Sequence, residues 1–280
     1  MATNDLMTPV PGVDPTKGGY YIWRYLPNQG ASVVFLLLFL ASFIFMCWKI
    51  WKTRVRFCIV FAIGCLFEFI GFAARTAAHN KTGRIMPYAI QSMYILVAPA
   101  LFAASIYMTL SRIILGVQGS KYSLIKPSRV TAIFVGGDIA TFMIQGGGAG
   151  LMVVQKAGFA TWGERIILTG LVIQVVLFGF FMFVALIFHR RMRQAPTPRS
   201  LDSTIPWEQT LIMLYAVSAL IMVRSIFRVI EYAQGQTGYS LSHEWTLYIF
   251  DALPMFIVTI LYGWRFPSEL KPKEIEFHEV

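Results

Sequence analysis

Apolar residues run along this chain in seven long blocks, each bounded by charged or turn-forming residues. A helix that crosses a bilayer needs about 20 mostly apolar residues. Blocks of that kind fall at about 30–48, 57–74, 87–111, 130–154, 165–188, 208–230 and 245–264, and each predicts a spanning helix. The connectors are short, and none is long enough for a separate domain. The longest, at about 189–207 (HRRMRQAPTPRSLDSTIPW), reads as a flexible loop from its arginines, prolines and serines. No heptads, low-complexity tract or repeat of 20–50 residues is present. The expected fold is all-α: a polytopic seven-helix bundle over 30–266, an extracellular segment at 1–29 and a cytoplasmic tail at 267–280.

Composition agrees. The chain is 56% hydrophobic and 14% charged, where a soluble domain carries about a quarter charged residues. Its net charge of +10 suits loops facing anionic lipid rather than nucleic acid. Of the 24 Lys and Arg residues, fifteen fall on one side. They are Lys49, Lys52, Arg54 and Arg56 after the first helix, Arg112, Lys121, Lys126 and Arg129 after the third, Arg190, Arg191, Arg193 and Arg199 after the fifth, and Arg265, Lys271 and Lys273 in the tail. Seven fall on the other side, and Arg224 and Arg228 lie inside the sixth helix. The positive-inside rule then puts the N-terminus outside and the C-terminus in the cytoplasm. The first 29 residues lack a basic stretch followed by an apolar core, so the first helix is expected to act as an uncleaved signal. Asn80-Lys81-Thr82 is a glycosylation sequon in an expected outer loop. The seven tryptophans all lie near expected helix ends, as an interfacial belt would.

The polar residues inside the blocks are the candidate chemistry. They include Glu68 in the second helix, Gln91 in the third, Asp138 and Gln145 in the fourth, Gln174 in the fifth, Arg224, Arg228 and Glu231 in the sixth, and Asp251 in the seventh. Arg224, Arg228 and Glu231 are spaced to share one helix face. Glu68 and Arg75, Asp138 and Gln145, and Glu244 and Asp251 are each seven apart, so each pair forms an inward stripe. An unpaired charge at mid-bilayer costs about 2.5–3.5 kcal/mol on the most lenient scale. The two arginines should therefore be neutralised by Glu68, Asp138 or Asp251. Such a network either holds substrate or ties helices together. The fourth helix also carries Gly136, Gly137, Gly146, Gly147, Gly148 and Gly150. These allow close packing, or an unwound segment beside Asp138 facing a cavity. Pro99 and Pro254 predict kinks toward the same region.

Other chemistries lack their residues. No lysine lies within a span, so a retinal Schiff base is not expected. His79, His189, His243 and His278 lie at helix ends or in loops, which leaves no buried haem or zinc ligand set. Cys47, Cys58 and Cys65 have no CxxC spacing and read as packing residues. There is no GxxxxGK[ST] loop and no Ser/His/Asp constellation. No metal, cofactor or enzymatic activity is expected.

Several stretches together resemble a known family. They are Glu68-Phe-Ile-Gly-Phe-Ala-Ala-Arg75, Gln91 through Tyr107 with Arg112-Ile-Ile, Asp138 through Gln145-Gly-Gly-Gly-Ala-Gly150, Gly170-Leu-Val-Ile-Gln174, and Arg224-Ser-Ile-Phe-Arg-Val-Ile-Glu231 followed by Gly235, Gly238, Glu244, Tyr248, Asp251 and Met255. In order, over about residues 20–266, they resemble the fungal lipid-translocating exporter family, the RTA-like (resistance-to-aminocholesterol) proteins. The resemblance implies a seven-helix protein, often of the plasma membrane, linked to amphipathic amines such as sphingoid long-chain bases and aminosterols. One branch is linked to porphyrin and haem. This chain reads Met46-Cys47-Trp48 where the family leads one to expect a histidine near the end of the first helix, and it has Phe72 for an expected tyrosine and Asn28 for an expected serine. The resemblance thus implies a lipid or amphipathic substrate within the bilayer. A receptor-like lipid or stress sensor, which shares the seven-helix layout, is the alternative.

Overall fold

The computed structural model describes residues 9–16, 19, 21, 23–153, 159–200, 206–235 and 238–267. Among them all regular structure is helical. Seven helices are long and apolar enough to cross a membrane. They are α1 (Gln29–Thr53), α2 (Ile59–Ala78, entered through a 3₁₀ turn at Arg56–Cys58), α3 (Ile85–Gly116), α4 (Pro127–Val153), α5 (Phe159–Gln194), α6 (Trp207–Ala233) and α7 (Glu244–Trp264).

Local chemistry sets several of the ends. Asn28 caps α1 by accepting a bond from the Ala31 N–H at 3.1 Å, and Arg54 closes the helix in the left-handed region (φ 59°). α3 and α5 run well past the expected blocks, to 32 and 36 residues. At 1.5 Å per residue α5 is about 54 Å long, against a hydrocarbon layer of about 30 Å. Its last turns therefore carry His189, Arg190, Arg191 and Arg193 beyond the apolar zone. The first part of the expected flexible loop is thus helix, because nothing from His189 to Gln194 breaks one. The described residues beyond that helix are anchored: Thr197 Oγ1 donates to the Val117 carbonyl at 2.6 Å, and Trp207 Nε1 to the Ser200 carbonyl at 3.0 Å.

The glycine-rich α4 is helical throughout, so the unwound alternative is not adopted. Close packing accounts for part of the pattern. A Cβ on Gly148 would meet the Gly163 carbonyl of α5 at 2.8 Å, and one on Gly137 would meet Leu177 Cδ1 at 2.9 Å. Gly136, Gly146, Gly147 and Gly150 face open space. α3 also continues through Pro99. In α7 the disturbance is larger: Tyr248–Ala252 forms a π-turn just before Pro254. That turn widens the helix where proline cannot donate, and Asp251 sits within it.

An aromatic core joins α1, α2, α3 and α7, with Phe61 stacked on Tyr262 at 4.0 Å and Phe39 on Phe72 at 5.6 Å. Outward faces carry Leu37, Ile44, Met143, Val176 and Ile212, the side chains lipid would cover. Trp48, Trp51, Trp162, Trp245 and Trp264 are exposed, as members of an interfacial belt must be. Trp23 and Trp207 are not part of it. Both are buried, Trp23 edge-on to Tyr88 and Trp207 edge-on to His189.

Candidate functional site

The intramembrane charges converge in the interior. Asp251 of α7 accepts from both helix-6 arginines, from Arg224 Nε on one oxygen and Arg228 Nη2 on the other. Arg228 Nη1 reaches down its own helix to Glu231 Oε2 at 2.8 Å. Arg224 uses its remaining reach on α3, where Nη2 donates to the Ile95 carbonyl at 2.6 Å. That carbonyl is available because Pro99, four residues on, has no N–H to offer it. Two guanidiniums are thus matched by two carboxylates, and one is bonded to a proline-freed backbone acceptor.

The other two candidate acids are not part of that pairing. Glu68 is buried beside it and feels the charges of Asp251, Arg224 and Arg228. Neither of its oxygens has a hydrogen-bond partner among the described residues. Asp138 of α4 accepts from the Tyr107 hydroxyl of α3 at 3.1 Å. Of the three acids expected to neutralise the arginines, the structure selects Asp251 for direct contact. Gln145, two turns along the same face as Asp138, donates to Gln174 Oε1 at 3.1 Å.

A narrow cleft lies between α3, α4, α5 and α6. Asp138, Tyr107, Gln174, Arg224 and Arg228 give its polar lining, and Leu96, Leu171, Phe178 and Ile221 its apolar lining. One cleft is therefore lined by a carboxylate from α4, two guanidiniums from α6 and apolar side chains.

Gln91 belongs to a separate cluster, which is centred on a fully buried Arg75. Its guanidinium donates to Glu244 Oε1 at 2.7 Å, to the Tyr25 and Tyr248 hydroxyls at 3.0 and 3.2 Å, and to Gln91 Oε1 at 3.3 Å. Glu244 also accepts the Asn28 N–H on both oxygens, each at 2.9 Å. His79 Nδ1 lies 2.7 Å from the Pro27 carbonyl and donates to it. The segment ahead of α1 is thereby tied down over this end of the bundle. Burial pushes the Tyr25 hydroxyl above its ordinary range, although Arg75 pulls it the other way. It stays a neutral hydroxyl at physiological pH.

Sequence reasoning placed Arg75 and Glu244 on inward stripes but did not include them among the site residues. It passed over Tyr25, and named Tyr107 and Tyr248 only within the stretches that carry the family resemblance. The two charges carry a signal, since both fall at the end of an apolar block. A tyrosine in an aromatic-rich span carries none. Among the described residues no cluster of metal-ligating side chains is present.

The model of the family described as "RTA1 like protein" matches residues 61–274. Protein RTA1 of Saccharomyces cerevisiae is 35% identical, covering 90% of this chain and 86% of that protein. Protoporphyrin uptake protein 1 of the same yeast is 33% identical over 89% of this chain and 92% of its own length. A protein named sphingoid long-chain base transporter RSB1, also from Saccharomyces cerevisiae, is 28% identical over 73% of this chain and 62% of its own length. No solved structure matches. With seven apolar spans and a family model covering most of its length, the chain is an integral membrane protein of the RTA1-like family.

Proposed function

We propose that this protein translocates amphipathic lipids, cationic ones such as sphingoid long-chain bases or aminosterols, across the plasma membrane. The observation that carries the reading is the cleft that Asp138, Arg224 and Arg228 line together with apolar side chains. A long-chain amine has one cationic head and an apolar tail. Asp138 is the cleft acid whose bond comes from a neutral hydroxyl, that of Tyr107, rather than from a cation. An ammonium head would pair with it, while the tail lies along Leu96, Leu171 and Ile221 or in lipid. Arg224 and Arg228 line the same cleft from α6. Glu231 and Asp251 hold those arginines, Gln145 holds Gln174, and Gln91 helps seat Arg75. These residues position the site rather than line the cleft. No bond is made or broken, so the protein acts as a carrier and not as an enzyme. The relative named as a sphingoid long-chain base transporter supports this substrate class.

The test is movement of a labelled long-chain amine into proteoliposomes, comparing wild type with Asp138→Asn. Wild type should carry the amine above empty liposomes, and the variant should lose about tenfold or more, the worth of one charge-assisted contact. Equal movement by both proteins removes Asp138 from the path. Binding without any movement would turn the reading to a sensor.

A further inference from the structure

Glu68 lies on α2 between Gly64 and Gly71, which share its helix face. A Cβ on Gly64 would stand 2.6 Å from Phe102 Cε1, and one on Gly71 2.5 Å from Ile95 Cγ1. α2 and α3 are therefore pressed together on either side of the carboxyl, which is 1% exposed. The ionisable groups that face it are Cys65 on its own helix, Arg224 and Arg228 on α6, and Asp251 on α7. α3 meets its flanking glycines with Phe102 and Ile95, and α1 packs on α2 through Phe35 and Phe39 against Phe72.

The charge arrangement singles this group out. Arg224 and Arg228 are already matched by Asp251 and Glu231. Asp138 has a hydroxyl donor in Tyr107. Glu68 has neither cation nor donor within bonding distance among the described residues. A carboxylate without donors in a buried site is the most costly form such a group can take, and protonation removes that cost. Ile95 ties this pocket to the cleft, since its side chain packs on Gly71 while its carbonyl holds Arg224, which lines the cleft.

We propose that Glu68 is a proton-binding site coupled to the cleft, and that the proton leaves when a cationic head group enters. An added positive charge beside Arg224 and Arg228 favours an ionised Glu68, because the bundle then keeps its total charge. The exchanged species are an ammonium head group and a proton, one for one. This deepens the translocator reading by naming its coupling ion, and it rests on that reading for its ligand. The proton site itself does not depend on it.

The experiment uses purified full-length protein in lightly buffered micelles with a pH-indicator dye. The probe is a long-chain trimethylammonium compound, which has no proton of its own to release. Wild type should release about one proton per probe bound, and Glu68→Gln none per probe bound. Glu68→Asp, which keeps a carboxyl, should restore the release. Infrared difference spectra should show a carboxylic acid C=O band in wild type that is missing in Glu68→Gln and falls as probe is added. Wild type that binds probe with no proton release, or Glu68→Gln that releases as many as wild type, overturns the proposal. If the probe does not bind wild type, the ligand reading fails, and the infrared band alone decides the proton site: supported if the substitution removes the band, overturned if the two spectra coincide.

Discussion

Pro99 removes one N–H from α3, and Arg224 of α6 takes the acceptor left behind at Ile95. A guanidinium can reach Asp251 and that carbonyl together because its donors are held in a rigid fork; an ammonium cannot. Arg224→Lys should therefore cost about 1.5–3 kcal/mol of stability, the worth of a charge-assisted bond. In a Pro99→Ala background the cost should shrink by about 1 kcal/mol, since residue 99 then offers Ile95 its own N–H. Denaturant unfolding of the four proteins in micelles measures this coupling, and equal costs in both backgrounds would disprove it. Asp251 has more at stake. Asp251→Asn leaves Arg228 with Glu231 and Arg224 with the Ile95 carbonyl and no carboxylate, and breaking a buried pair typically costs about 3–5 kcal/mol. The same unfolding assay should show a loss of that size; a loss under about 1 kcal/mol would mean that Glu68 or Asp138 takes the arginines over. The sequence made the charges and their shared faces readable, because spacing decides which side chains share a helix face. It could not choose Asp251 over Glu68 or Asp138. That choice depends on how the helices rotate and on the π-turn that carries Asp251, neither of which is written in a single segment.

Helix existence was legible because a 20-residue apolar block has few other fates in a bilayer. Helix ends were less so: α5 runs on past its apolar block because Arg190, Arg191 and Arg193 are good helix formers with water to solvate them. The α4 glycines show the same limit, since six similar residues do different things. Gly148 faces the Gly163 backbone, whereas Gly147 faces open space. Gly148→Ala should therefore destabilise the α4–α5 pair by about 1–3 kcal/mol, because a carbonyl does not move aside as a side chain does. Gly147→Ala should be neutral or stabilising by up to about 1 kcal/mol, through its better helix propensity. Thermal unfolding of the two variants side by side checks this. A similar response from both would mean that α4 and α5 do not pack with this rotation.

For the whole molecule, the Arg75 cluster at one end of the bundle makes the orientation in the membrane testable. The lysine and arginine bias expects this end to be extracellular. There the sequon shows a divided character: Asn80 is exposed, but the Thr82 side chain is buried, and its Oγ1 accepts the Asp14 N–H at 2.8 Å. The hydroxyl that a glycosylating enzyme must read is thus the one that docks the N-terminal segment. Sugar can be added only before that segment closes over the bundle, while the chain is still being inserted. If this end faces out, the expressed protein should lose apparent mass on endoglycosidase treatment, and Asn80→Gln should abolish that shift without loosening the segment. Thr82→Ala should remove both the sugar and the bond to Asp14, and so speed proteolysis ahead of α1. Thr82→Ser should keep both. A protein that carries no sugar, and whose residue 81, once changed to cysteine, is labelled only after the membrane is permeabilised, would invert the topology. The Arg75 cluster would then close the cytoplasmic end of the bundle.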